Sequence, residues 1–200
     1  MGYASSCKSL ILKAIKFHKY VYKSLGDGIL ILEQESKNMT FTQLQSKLGI
    51  NLVKSNWHQA SGGGWIQNSA MVYNEDNIKD DAIIMDKAVV SENGVVFGAA
   101  EVSGDAVVSG HAAVFGNAVV FGAAEVTECA MVFGAAMVSG NAAVFGHAEV
   151  SGAAKVFGHA VVSGNAEVSG AAAVFGHAVV SRNAVVTGDV VVLGNTHVLD

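Results

Sequence analysis

Histidine and cysteine residues recur in this sequence at a spacing that could bring their side chains together for metal chemistry. His111, Cys129 and His147 follow one another at a constant 18-residue interval, and His159 and His177 are separated by the same interval. Imidazole and thiolate groups are common zinc ligands. They can form a site only if 18 residues bring the chain back to the same side of the fold, and that depends on the secondary structure of the residues between them.

Those elements are set by a six-residue repeat. Valine occupies every sixth position from Val90 to Val198, and alanine stands two residues before nearly every valine. Side chains alternate between the two faces of a strand, so the alanines and valines share one face. A glycine follows most valines by two residues and favours a bend. Each hexapeptide is therefore predicted to form one strand and one corner of a parallel β-helix.

The phenylalanine residues predict three corners per coil. Phe97, Phe115 and Phe133 recur at every third hexapeptide, as do Phe157 and Phe175, so coils of three hexapeptides would stack each set in a ladder. The expected fold class is all-β, a triangular single-stranded parallel β-helix of about seven such coils. The chain contains no proline, which agrees with this fold because proline cannot donate to a ladder.

The position three residues after valine usually holds asparagine, aspartate or histidine. These are the non-glycine residues that best tolerate a positive φ, so we expect the left-handed backbone conformation at this position. That backbone role explains the interchange of the three residue types better than metal binding does. We therefore predict no metal site, no cofactor and no catalytic residue, and keep the following as metal candidates: His111, Cys129, His147, His159 and His177.

Residues 72–200 resemble the hexapeptide-repeat superfamily, and most closely its Val-x-Gly-[Asn/Asp/His]-Ala-x variety in phage, prophage and bacterial polymer-forming proteins. The stretch from Trp57 to Trp65 also resembles the glycine-rich lead-in to such repeats. The resemblance implies a left-handed helix. Its enzymes, acyltransferases and γ-class carbonic anhydrases, generally have a loop that interrupts the coils or two zinc histidines five residues apart. The repeats here show neither, and the fold alone does not specify a function.

The charge divides the chain into two predicted domains, a basic, mainly helical head or cap over residues 1–64 and an acidic solenoid over residues 65–200. The head carries eight lysines and three acids, whereas the remainder carries a net charge of −10. We predict that the head is a cap over the first coil; a nucleic-acid contact is the less favoured alternative, and no nucleic-acid partner is expected. Its candidate surface residues are Lys13, Lys16, Lys19 and Lys23.

Within the head, apolar residues at three- and four-residue spacing predict an amphipathic helix over residues 5–25. The apolar run from Ile29 to Leu32 indicates a short strand. Thr42-Gln43-Leu44-Gln45 matches a capping box, and Gly49 is a typical helix stop, so a second helix is expected at about residues 43–48.

The outward positions of the repeats are often apolar, which favours a non-enzymatic protein that assembles through its surface. The predicted interface residues are Phe97, Phe115, Phe133, Met131, Met137, Phe157, Phe175, Val192, Leu193, Val198 and Leu199. We expect a dimer or trimer that binds or sequesters another protein, as an inhibitor of a host defence protein or a virion component if the chain is phage-encoded. The alternatives are a trimeric hexapeptide-repeat enzyme and a DNA-binding head on an oligomerising solenoid.

The cysteine content and the hydropathy pattern predict a cytoplasmic protein, in the host cell cytoplasm if the chain is phage-encoded. Cys7 and Cys129 do not indicate a disulfide framework, and no cleavable secretory signal is found. No apolar run reaches the roughly 18 residues that cross a membrane, so no membrane partner is expected.

Overall fold

The computed structural model describes residues 20–25, 28–33, 38–49 and 51–200, and of the first two segments the backbone alone. Residues 57–199 form a parallel β-solenoid with three sheets, each of which receives one short strand from every coil. Each strand pairs with the third strand after it in the chain, for example Val107–Val108 with Glu125–Val126. The predicted all-β parallel solenoid with three corners per coil is confirmed.

The three sheets are named here by their order within a coil. Sheet 1 contains Met71–Val72, Val89–Val90, Val107–Val108, Glu125–Val126, Ala143–Val144, Val161–Val162, Val179–Ser181 and His197–Leu199. Sheet 2 contains Val95–Val96, Ala113–Val114, Met131–Val132, Glu149–Val150, Glu167–Val168 and Val185–Val186. Sheet 3 contains Trp57–Gln59, Trp65–Gln67, Ile83–Ile84, Glu101–Val102, Val119–Val120, Met137–Val138, Lys155–Val156, Ala173–Val174 and Val191–Val192.

The interior of the solenoid is built from the alanine and valine positions of the repeat. From Ala100 to Val180 every one of these side chains is fully buried, in one continuous core. Small and β-branched side chains alternate along each strand, so three strands can meet at a narrow axis without polar atoms between them. Backbone amides join the coils, as where Val107 N–H donates to Ala124 O at 2.9 Å and Ser109 N–H donates to Val126 O at 3.0 Å.

The corners differ from the prediction in one respect. The positive φ angles occur two residues after valine, at glycines such as Gly104 (φ 71°), and not at the Asn, Asp and His position that follows. The glycine is needed because a Cβ atom on Gly104 would lie 2.8 Å from the carbonyl oxygen of Gly122 in the next coil. The assignment of positive φ to the Asn, Asp and His position was therefore wrong. In a corner, Asn165 Nδ2 instead donates to Asn183 Oδ1 at 3.0 Å.

The N-terminal segment also departs from the prediction. Residues 5–19 of the predicted helix lie outside the described residues, and Tyr20–Leu25 is a strand that pairs antiparallel with Gly28–Glu33. The predicted strand at residues 29–32 is confirmed within this hairpin. Tyr20, Val21 and Tyr22 are aromatic or β-branched and favour strands, which outweighed the helical spacing of the apolar residues.

The described helix α1 spans Phe41–Leu48. Its N-cap is Thr40, which forms a capping box with Gln43: Gln43 N donates to Thr40 Oγ1 at 3.3 Å, and Thr40 N donates to Gln43 Oε1 at 2.8 Å. The predicted box beginning at Thr42 was therefore displaced by two residues. Gly49 ends the helix in the left-handed conformation, as predicted (φ 66°). At eight residues, α1 is too short to span a membrane, and no other described helix could do so.

Helix α1 and the glycine-rich lead-in cover the beginning of the solenoid. Two 3-10 turns, Lys54–Asn56 and Glu75–Asn77, flank this region. The antiparallel strand Trp57–Gln59 occupies the first edge of sheet 3. Leu44 of α1 packs with Trp65 and Ile83 on the outer side of that sheet, while Ala60 joins the core. The Trp65 indole donates to Met39 O at 2.7 Å, which holds the segment before α1 in place.

Candidate interaction surfaces

The histidine and cysteine residues that suggested a metal site lie in a row along one corner. His111, Cys129 and His147 follow strands of sheet 1 in successive coils, and Cys129 N donates to Gly146 O at 2.9 Å. Cys129 is disulfide-bonded, contrary to the expectation drawn from the cysteine count, so it is not available as a thiolate. Within the described residues, no three histidine, cysteine or carboxylate side chains are arranged to hold a metal ion.

His159 and His177 lie on the corner after sheet 3, where the two imidazole rings stack. Their centroids are 4.9 Å apart and their planes differ by 6°. The lone pairs of an imidazole lie in the ring plane, so those of two parallel rings point side by side and do not converge on one tetrahedral ion. Phe157 and Phe175 form a second stack beside them, with centroids 4.7 Å apart. The outer side of sheet 3 and the corner that follows it therefore carry two neighbouring stacks of two aromatic rings each.

The other phenylalanine ladder lies on sheet 2. The ring centroids of Phe97 and Phe115 are 4.7 Å apart, and those of Phe115 and Phe133 are 4.9 Å apart, as the 18-residue spacing predicted. The ladder is not equally accessible along its length. Phe97 is fully buried, although its position in the repeat points outward, whereas Phe157 at the equivalent position of sheet 3 is 36% exposed. Val95 and Ala113 are buried beside Phe97, so this end of sheet 2 is covered.

Sheet 2 also carries the most perturbed carboxyl group among the described residues. Glu149 and Glu167 are partners in adjacent strands and both point outward. Partial burial raises the pKa of Glu149 above its usual value of 4.5, and the negative charge of Glu167 raises it further. These two outward carboxylates in adjacent strands make this part of sheet 2 unfavourable for an apolar contact at neutral pH.

The predicted interface residues near the C-terminal coil fall into two groups. Val192 is almost completely buried and Val198 is half-buried against the core, so these two side chains belong to the interior. Leu193 and Leu199, in contrast, are about half exposed. Met131 lies partly buried beside the phenylalanine ladder of sheet 2, and Met137 is half-buried on the outer side of sheet 3.

The predicted head surface is described in part. Lys13, Lys16 and Lys19 lie outside the described residues, and Lys23 is in the strand Tyr20–Leu25, where its backbone pairs with Leu30. The contact between head and solenoid that sequence reasoning missed is made by Lys47 of α1. Its Nζ lies 2.9 Å from Glu101 Oε1 on sheet 3. A lysine on a short helix and a glutamate in a distant repeat give no local sequence signal for such a pair.

A second polar cluster that the sequence did not indicate lies in the lead-in. His58 Nδ1 is 2.9 Å from Asn68 Oδ1, and His58 Nε2 is 3.1 Å from Glu75 Oε1. Both ring nitrogens are thus engaged, at a solvent-exposed position. This cluster fastens the antiparallel strand Trp57–Gln59 to the turn at Glu75, and we assign it a structural role.

These features define the class of protein as a parallel β-solenoid with 18-residue coils and a capped first coil. Comparisons with models of protein families, with curated proteins and with solved structures found no match to this chain. The functional argument therefore depends on the surfaces of the solenoid itself.

Proposed function

We propose that this chain is a non-catalytic β-solenoid interaction protein that self-associates and binds a protein partner. The observation that carries the proposal is an apolar outer surface on sheet 3, here called the aromatic face. It consists of Val119, Phe121, Met137, Phe157, Phe175, Val191 and Leu193. Phe121 is 37% exposed and Val191 is 54% exposed. Lys155 and Ser139 interrupt the two rows of the aromatic face, but partly exposed apolar side chains grouped on one face mark interaction sites, and aromatic anchors dominate the affinity of many interfaces.

The regularity of the coils supports a binding role over a catalytic one. From Ile83 to His197 each strand begins six residues after the preceding strand. Every corner therefore has the same length, which leaves no inserted loop on which an active site could be assembled. A rigid rod with fixed rows of side chains is suited to present a surface, because its partner does not have to order it on binding.

The sequence resemblance supports a more specific version of the proposal. The repeat resembles that of phage and prophage members of the hexapeptide-repeat superfamily, which favours a phage-encoded chain. On this assignment the partner is a protein of the host cell, which the solenoid binds and inhibits, or a component of the virion.

The test is affinity capture with the full chain immobilised and an extract of its native host. We expect one protein to be retained at about one molecule per molecule of bait and to be identified by mass spectrometry. The double variant Phe157→Ser/Phe175→Ser should lose it. A matched control is Ala153→Ser/Ala171→Ser, which alters two exposed corner positions of sheet 2 in the same coils.

Retention by the control and loss by the aromatic variant would support the proposal. Equal retention by both variants would remove the aromatic face from the interaction. If the folded protein retains no partner but turns over an acyl donor or hydrates carbon dioxide, the proposed function is wrong.

A further inference from the structure

The outer side of sheet 1 differs from the other two sheets in the order of its side chains. Each strand presents two outward residues, one before and one after the buried valine. The row before valine reads Met71, Val89, Val107, Glu125, Ala143, Val161, Val179 and His197. The row after valine reads Tyr73, Ser91, Ser109, Thr127, Phe145, Ser163, Ser181 and Leu199. One row is thus mainly apolar and the other mainly carries hydroxyl groups.

Both rows read nearly the same in either direction. About a midpoint between Glu125 and Ala143, two valines lie on one side and two on the other at equal distances. The hydroxyl row has the same property: two serines precede Thr127 and two serines follow Phe145. A surface with this reversal symmetry is self-complementary under a two-fold axis that lies in the face, perpendicular to the rod.

We propose that a second copy of this chain binds on the outer face of sheet 1, with the two rods antiparallel. This inference rests on the self-association in the proposed function and assigns a surface to it. The two-fold axis reverses the order of the strands but keeps each row over its counterpart. Val107 then lies opposite Val161 of the second copy, and Ser109 lies opposite Ser163. Valine packs on valine, while serine hydroxyls can donate to and accept from one another.

The single acidic residue of the apolar row favours this arrangement. Glu125 is exposed, and the axis places it opposite Ala143 and one strand, about 4.8 Å, away from Glu125 of the second copy, so the two carboxylates do not face each other directly. In a dimer of parallel rods with the axis centred on this row, Glu125 would face its own copy, and the repulsion between like charges would oppose association. If the two-fold axis of the parallel dimer instead ran between the two rows, the valine row of each copy would lie over the serine row of the other.

The other two faces are less suited to self-association. The start of sheet 2 is covered over Val95 and Ala113, and its later strands carry the acidic residues Glu149 and Glu167 on their outer side. Helix α1 covers the start of sheet 3, which also carries Lys155. On sheet 1, in contrast, no described helix covers the strands, and Val89, Val107, Val161 and Val179 are all partly exposed.

The dimensions of the face predict a reversible dimer. Eight strands spaced at about 4.8 Å span roughly 34 Å, and two outward residues per strand give a width of roughly 13 Å. The two copies together would bury about 900 Å², which is below the range of stable specific interfaces and typical of weak, transient ones. We therefore expect a dissociation constant in the micromolar range.

The first test measures assembly of the full chain by sedimentation over a range of concentrations. We expect a wild-type dimer. Ala143→Glu places a carboxylate opposite Glu125 of the second copy and should weaken the dimer by about tenfold or more. Ala143→Lys places a cation there and should leave the dimer intact or tighten it. The control is Ala173→Glu, which adds the same charge at an outward alanine of sheet 3, beside Lys155 of the adjacent strand, and should not change assembly.

The second test fixes the register with a short bis-maleimide linker. The double variant Val107→Cys/Val161→Cys should give cross-linked dimers, because the thiol at position 107 of one copy faces the thiol at position 161 of the other. Neither single variant should give cross-linked dimers beyond the wild-type background, since the same position in the two copies is separated by about three coils. A wild-type monomer at all concentrations would overturn both the proposed self-association and this inference. A dimer that Ala143→Glu and Ala143→Lys affect equally would overturn the inference alone.

Discussion

The ammonium group of Lys47 lies 2.9 Å from Glu101 Oε1 and 3.3 Å from the carbonyl oxygen of Ala99, so helix α1 is tied to the outer side of sheet 3 by one side chain. The lysine and glutamate side chains are both about one-quarter to one-third exposed. The pair therefore connects the cap to the second coil of the solenoid through a partly screened interaction.

Replacing Glu101 by glutamine should destabilise the cap only slightly. A partly exposed ion pair contributes about 0.2–1 kcal/mol and is weakened by salt. We expect urea unfolding of Glu101→Gln to show a loss within this range at low ionic strength and a smaller one in high salt. A loss that does not depend on salt would mean that packing of the Lys47 stem, rather than its charge, holds α1.

Replacing Gly104 by alanine should destabilise the solenoid more than the same change at Gly188. Both glycines have a positive φ, but a Cβ on Gly104 would meet the Gly122 carbonyl oxygen at 2.8 Å, whereas one on Gly188 meets nothing within 4 Å. Gly188→Ala should therefore show only the backbone cost, about 1–2 kcal/mol. Gly104→Ala should lose additional stability in thermal unfolding. Equal losses of stability in the two variants would show that the neighbouring coil can move away from the added methyl group at no cost in free energy.

The inward alanines should tolerate enlargement poorly. Ala172 is fully buried and Ala173, its neighbour in the chain, points outward. Ala172→Leu should overpack the core and lower the free energy of unfolding by about 1–3 kcal/mol. Ala173→Leu adds the same atoms to the surface and should have a much smaller effect. Similar melting temperatures for the two variants would contradict the inward and outward assignment.

Glu149 should make the stability of the solenoid depend on pH. Its pKa is raised in the folded state, so folding disfavours the ionised form, and the penalty applies at neutral pH but not below the unfolded pKa near 4.5. The stabilising effect of Glu149→Gln should therefore appear at neutral pH and decline as the pH falls through this window. Denaturant unfolding at a series of pH values measures it. Glu167→Gln, which removes the second cause of the shift, should reduce the pH dependence. A constant difference between wild type and Glu149→Gln at all pH values would exclude ionisation as its cause.

The sequence predicted the coils well because their cause is local and repeated. The alternation of alanine and valine fixes which side chains are inside, and the interval from Phe97 to Phe115 fixes the number of corners. The error at the corner arose because both Gly104 and Asp105 are residue types that favour bends. The deciding contact is with Gly122 in the next coil, which a single repeat does not contain.

The head was predicted less well because it lacks a repeat to reinforce weak signals. Thr40 and Thr42 both precede suitable capping partners, and the structure uses Thr40, which follows Met39, whose carbonyl oxygen accepts a hydrogen bond from the Trp65 indole. The burial of Phe97 had no sequence signal either, because its repeat matches those of exposed phenylalanines. Surface character depends on what packs over a residue, and an isolated hexapeptide does not encode that.

The difference between a six-residue unit and an 18-residue coil constrains how this chain can change its length. Removing three consecutive hexapeptides would shorten the rod by one coil and leave every later side chain on its original sheet. Removing a single hexapeptide would keep alanine and valine inside, yet carry each later residue one-third of a turn around the axis. Phe157 and Phe175 would then lie on another sheet, so a deletion that is silent for folding could erase one binding face and create another.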